Sequence, residues 1–162
     1  MWGALAMGDV QGDGRSLLAG TTLDDAGNPV VVGYGPQGLE SLRVDRGFRA
    51  LRFADFDGDG RDDVISNVHE ENGEGNCALV GLRRDTSTYD FRAPRRADGS
   101  CIGESGETLL VADFDGDGHL DIVMPANEHF DYLRNLGDGT FVEEADLRGI
   151  RLRGYLPKVE GA

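Results

Sequence analysis

The residues best suited to chemistry in this sequence are aspartates at alternate positions. Asp55, Asp57, Asp59 and Asp63 occupy positions 1, 3, 5 and 9 of one stretch, and Asp113, Asp115, Asp117 and Asp121 repeat the pattern in another. In a tight loop, alternation turns carboxylates 1, 3 and 5 inward, and glycine at position 6 (Gly60, Gly118) permits the sharp return. Position 7, Arg61 or His119, offers its backbone carbonyl whatever its side chain. Four carboxylates and a carbonyl form an all-oxygen cage for a hard cation. Calcium accepts about 6 to 8 such ligands in loose geometry, whereas magnesium keeps its waters and a strict octahedron. Calcium is therefore the expected ion, at two sites. A third loop retains Asp9 and Asp13 but has Gln11 at position 3 and Leu17 at position 9. With two carboxylates fewer, Asp9, Gln11, Asp13 and the Arg15 carbonyl make a weaker metal site. An EF-hand reading fails because it requires glutamate at position 12 and flanking helices. Here position 12 is Gly20, Ser66 or Met124, and the flanks have strand periodicity.

These loops must be positioned by elements that recur with them. Leu5–Gly14, Leu51–Gly60 and Leu109–Gly118 align without gaps, their first aspartates 46 and 58 residues apart. That spacing suits a unit of several strands rather than one hairpin. Before each loop the apolar period is two: Leu5 and Met7, Leu51 and Phe53, Leu109 and Val111 each share a face, as in a half-buried strand. After each loop a second strand is expected at 17–19, 64–66 and 122–124, a third at 30–32, 77–80 and 130–133, and a fourth at 39–44, 89–91 and 140–142. Asn135-Leu136-Gly137-Asp138-Gly139 has residues that tolerate positive φ and reads as a hairpin loop. Glu143 to Arg148 is the only short helical candidate.

The fold class that follows is all-β: about three four-stranded antiparallel repeats forming β-propeller blades. Repeat 1 spans about 2–46, repeat 2 about 47–104 and repeat 3 about 105–148, with 149–162 a tail or the start of a further strand. Radial repetition protects sheet edges, and closed propellers carry about 4 to 8 blades. Three blades therefore imply further blades or self-association.

Composition narrows the partners. The 162 residues carry 30 acidic and 16 basic side chains, a net charge of −14, which argues against nucleic acid or an anionic membrane as partner. Glycine, at 25 residues, is about twice its usual frequency, as a turn-rich chain requires. No apolar run is long enough to span a bilayer, so membrane insertion is not expected. The apolar run Trp2–Met7 is short and lacks a basic lead-in, so no signal peptide is expected within this chain.

Ala54-Asp55-Phe56-Asp57-Gly58-Asp59-Gly60-Arg61-Asp62-Asp63-Val64, Ala112 through Val123, and Arg134 through Phe141 resemble the FG-GAP, or VCBS-type, repeat. The resemblance covers most of the chain, departing from the pattern in the first loop and in having three repeats. It implies a calcium-binding propeller, usually seven-bladed, like those of integrin α-subunit heads, which serve cell adhesion, and of many secreted bacterial proteins. Such modules mostly bind protein or glycan partners, and some belong to polysaccharide lyases. The expectation is a non-catalytic binding or structural scaffold in an extracellular or periplasmic protein. The alternative is the propeller portion of a secreted calcium-dependent polysaccharide lyase. Because the resemblance implies export, it favours a disulfide between Cys77 and Cys101, the only cysteines; the alternative is two unrelated thiols.

The remaining reactive side chains form no recognisable catalytic set. His69, His119 and His129 do not follow zinc spacing and read as surface residues, and no nucleophile with a neighbouring base stands out. His69-Glu70-Glu71 and Asn127-Glu128-His129 could share a polar rim. Arg83, Arg84, Arg92, Arg95 and Arg96 are interleaved with Asp85, Asp90 and Asp98, which suits a solvated face better than a patch for an acidic polysaccharide. The basic tail Arg148–Lys158 alternates with apolar residues and could start a strand or cover a sheet edge.

Overall fold

A computed structural model of the chain describes residues 4–23, 29–35, 38–43, 48–70, 75–85, 88–100, 102, 108–125 and 130–144. Twelve strands and no helix occur among them. They form three four-stranded antiparallel sheets, each ordered as its strands follow in the chain. Blade 1 consists of β1 (Leu5–Gly8), β2 (Leu17–Leu23), β3 (Pro29–Gly35) and β4 (Gly38–Arg43). Blade 2 consists of β5 (Phe48–Ala54), β6 (Asp63–Glu70), β7 (Gly75–Arg83) and β8 (Tyr89–Arg92). Blade 3 consists of β9 (Leu110–Ala112), β10 (Asp121–Pro125), β11 (Phe130–Asn135) and β12 (Phe141–Glu143). All four strands expected of each repeat are present, in an arrangement of propeller blades that does not close into a ring. Glu143 ends β12, while 145–148, where the short helix was expected, and the tail lie outside the described residues.

Blade 2 is covered on both sides, and period-two alternation makes this possible. On one face Leu51, Val64 and Cys77 join Ala6 and Ala19 of blade 1, with Phe53 and Leu79 packed alongside. On the other, Ala54, Ile65, Ala78, Val80 and Leu82 meet Ile122, Met124 and Leu133 of blade 3. The blade contacts set side-chain size. Gly8 lies so near Phe53 that an added Cβ would overlap the Phe53 Cβ, and Gly139 presses on the Leu82 side chain. Small residues on one blade thus receive large ones on the next, and β1 lies against β5.

The outer blades are only half covered. Leu5 and Met7, expected on a half-buried face, are 70% and 65% exposed. Their counterparts one repeat later behave differently: Leu51 is 0% exposed. The face has the anticipated apolar pattern, and among the described residues no further blade lies against it.

Gly8→Ala should force blades 1 and 2 apart and lower stability by about 1–3 kcal/mol, as overpacking does. Urea unfolding measures this, and a loss below about 0.5 kcal/mol would show that the contact is looser than described.

Candidate functional site

Each acidic loop joins the first strand of a blade to the second, and all three share one backbone path. Glycines at positions 4 and 6 adopt positive φ: 70° and 80° at Gly12 and Gly14, 76° and 86° at Gly58 and Gly60, 80° and 91° at Gly116 and Gly118. Other residues avoid this region because of Cβ crowding, so both glycines are needed. The position-1 aspartate gathers the turn around itself. In loop 2, Asp55 Oδ1 accepts from the N–H of Gly58 (2.8 Å) and Asp59 (3.1 Å), and Oδ2 from that of Gly60 (2.9 Å). Asp113 does the same with Gly116, Asp117 and Gly118, and Asp9 with Gly12, Asp13 and Gly14. Desolvation pushes Asp9 upward, but the N–H groups of Gly14, Asp13, Gly12 and Gln11 together outweigh it and hold its pKa below the usual value. Position 5 repeats the device on a smaller scale. Asp13, Asp59 and Asp117 each accept the position-7 N–H, which fixes the backbone of Arg15, Arg61 and His119.

The position-9 aspartate lies deeper. Asp63 is fully buried; its Oδ2 accepts from Phe56 N (2.9 Å) and its Oδ1 from Arg83 N (2.7 Å) on β7. Asp121 is buried alike, with Oδ2 accepting from Phe114 N (3.1 Å) and Tyr132 Oη (2.8 Å), and Oδ1 from Asn135 N (2.9 Å) on β11. These carboxylates tie the loop's start to the third strand of the same blade. Burial raises the Asp63 pKa to about 6, although the Arg83 and Phe56 N–H groups lower it; the Asp57 and Asp59 charges add to the rise.

One carboxylate oxygen from each of Asp55, Asp57 and Asp63 lies within 4.8 Å of the others, and the same holds for Asp113, Asp115 and Asp117. The clusters differ in membership, and the position-7 side chain explains part of the difference. The Arg61 guanidinium holds Asp59 Oδ2 through Nη2 (2.6 Å) and Nε (3.1 Å), which draws that carboxylate out of the group and lowers its pKa. His119 packs its ring near Gly137 instead, and Asp117 stays with the cluster. Arg84 approaches Asp57 Oδ2 at 3.2 Å. Three oxygens at such spacing, fixed by backbone N–H groups, could converge on one divalent cation.

Loop 1 forms no such acidic cluster. Leu17, in the place of Asp63, is buried against Gly33, so an apolar contact fills the keystone position. A residue of the neighbouring blade steadies the loop from outside: Asp62 Oδ2 accepts the Asp9 N–H, and Asp62 N donates to Asp9 O at 2.9 Å.

Sequence reasoning missed Asp62, Asn135 and Arg96. Asn135, read only as a hairpin residue, is fully buried and donates from Nδ2 to Phe56 O (2.8 Å) of loop 2 and Leu120 O (3.1 Å) of loop 3. Arg96 reaches the buried Asp131 at 2.8 Å, joining blades 2 and 3. The arginine group read as a solvated face is thus divided. Arg84 and Arg92 are exposed and share Asp90, whereas Arg83 is buried with Nη1 donating to Tyr89 Oη. No pattern within one repeat signals contacts made between repeats. Cys77 is buried in the core between blades 1 and 2, and Cys101 lies outside the described residues, as do the side chains of the suggested His69 and His129 rim.

Residues 105–139 match the family profile of the FG-GAP repeat. That segment is similar to the FG-GAP repeat. That match spans loop 3, β9, β10, β11 and the 136–139 turn, the unit that the strand pairing delimits as most of blade 3. The FG-GAP match and the three antiparallel sheets are consistent with blades of a β-propeller. No curated protein matches the chain.

In chelator, the folded state holds the Asp63 proton more tightly than the unfolded chain, whose aspartate titrates near 3.8. The stability this group contributes is therefore fully present below about pH 4 and is lost as pH rises through about 6. The advantage of wild type over Asp63→Asn should shrink across that window by up to about 3 kcal/mol, measured by urea unfolding at several pH values. An advantage that grows with pH would contradict the assignment.

Proposed function

We propose that this chain is a calcium-braced propeller module that serves as a non-catalytic scaffold for a protein or glycan partner. The observation that carries the reading is the convergence of Asp55, Asp57 and Asp63, and of Asp113, Asp115 and Asp117, in loops joining strands 1 and 2 of successive blades. The FG-GAP match over the second of these loops supports it. Calcium at these positions would link the carboxylates that already organise the turn, and its binding free energy would add to folding. Asp59 and Asp121, with the Arg61 and His119 carbonyls, complete the proposed ligand sets; recruiting Asp59 requires release from Arg61. Loop 1, held by Asp62 and lacking an acidic cluster among the described residues, is the weakest metal candidate, and Asp9, Gln11, Asp13 and Arg15 serve there mainly to turn the chain.

A scaffold role rests on what the surface offers. A groove of about 600 Å³ between β5 and β9 is lined by Arg52, Asp55, Asp62, Leu109, Leu110 and Leu120, among others. It holds one basic and two acidic groups and no nucleophile beside a base. We also infer export and a Cys77–Cys101 bridge. Two observations support the bridge: no described cysteine is a free thiol, and Ala78 N donates to Ile102 O at 2.6 Å, bringing together the neighbours of the two cysteines.

Calorimetric titration after chelation should find two sites, each stabilising the fold by roughly 1.4 kcal/mol at millimolar calcium if its dissociation constant is about 10⁻⁴ M. Asp55→Asn and Asp113→Asn should each remove one site. No heat and no rise in thermal midpoint would sink the metal reading, and calcium-dependent cleavage of an acidic polysaccharide would replace the scaffold by the lyase alternative.

A further inference from the structure

The two outer blades expose opposite halves of a contact that the chain makes twice inside itself. Each blade has one face for the blade before it and one for the blade after. In blade 2 the first face holds Leu51, Phe53 and Val64, packed against Ala6 and Ala19 of blade 1. The same repeat positions in blade 1 are Leu5, Met7 and Leu18, all exposed, with Met7 directly opposite Leu18 across β1 and β2. On the other side, Phe56 at loop position 2 is 1% exposed, buried beneath blade 3 edge-to-face on Phe141, and Val10 at that position in blade 1 is buried too. Phe114, its counterpart in blade 3, is 47% exposed, and Leu110 and Val142 of blade 3 are exposed as well.

Blade 1 therefore presents an uncovered first face and blade 3 an uncovered second face, and each is the type of surface that covers the other within the chain. Both are apolar at their centres. We propose that a second copy of this chain covers both, with blade 3 of one copy against blade 1 of the other at two identical contacts. A head-to-tail contact either closes into a ring or grows without limit. The described blades of two copies number six, within the roughly 4 to 8 that closed propellers hold, whereas those of three copies exceed it. Inside the chain, loop 1 meets position 8 of the following blade, Asp62, through the Asp9 N–H. At the new contact, position 8 is Ser16 of the second copy, whose hydroxyl can accept the Asp113 N–H in the same manner. The contact is one of packing and does not depend on the proposed metal role.

Sedimentation of the 162-residue chain in excess calcium, across the micromolar range, should show a species of twice the chain mass and none larger. Leu18→Asp and Leu110→Asp place a charge on exposed positions of opposite faces, and far-UV circular dichroism checks that each variant folds. If either does not, Met7→Asp or Val142→Asp takes its place. Each variant alone should associate at least about 30-fold more weakly than wild type, while an equal mixture of the two restores the two-chain species through the one contact left intact. A wild-type chain that stays monomeric overturns the proposal. So does a dimer that persists in Leu110→Asp alone, because like faces would then be pairing, and so does growth beyond two copies.

Discussion

The structure depends on a carboxylate buried beneath each of the two complete acidic loops. Asp63 and Asp121 hold no solvent contact, yet each accepts N–H groups from loop position 2 and from the third strand of its own blade. Removing a carboxylate from water is costly, and charge-assisted bonds to backbone donors offset that cost only if the donors are already in place. In these two blades the buried carboxylate therefore couples the loop to the sheet behind it, because its donors come from both. Loop and blade fold as one unit.

From that joint the remaining order follows. With its two ends pinned, the loop needs two residues at positive φ, and the glycines at positions 4 and 6 provide them. The position-1 aspartate then finds three N–H groups within reach. The carboxylates left over point toward one another, an arrangement that is self-repulsive unless a cation intervenes. In loop 2 arginines serve in part: Arg61 takes Asp59, and Arg84 approaches Asp57. In loop 3 position 7 is histidine and Asp117 remains with its neighbours, with the charge of Arg134 acting on both Asp115 and Asp117. The two loops thus share a scaffold but differ in how their negative charge is balanced.

Loop 1 shows how the repeat persists where its chemistry has lapsed. Leucine replaces the buried aspartate, and the polar anchor is supplied by Asp62 of the adjacent blade. The same shift from contacts within a blade to contacts between blades recurs in Asn135, which bonds carbonyls of two loops at once, and in the Arg96–Asp131 pair. Cohesion along the chain therefore rests on polar links as well as on the apolar layers between sheets.

The sequence by itself determined the repeat, the strand order within each blade, the turn glycines and the position-1 aspartates, because these obey local rules: period-two alternation, positive φ and short-range N–H to carboxylate reach. It marked Leu5 and Met7 as one apolar face but could not say that the face is open, since exposure depends on what lies opposite rather than on the residue. Only the tertiary structure decided that Arg83 is buried, that Asn135 and Asp62 bridge neighbouring loops, and that Asp59 pairs with Arg61 while Asp117 does not. The contacts of Asn135 and Asp62 are set by residues from separate repeats meeting in space, and those of Arg83 and Asp59 by how side chains of one repeat settle once it is folded; no pattern read along one strand contains them.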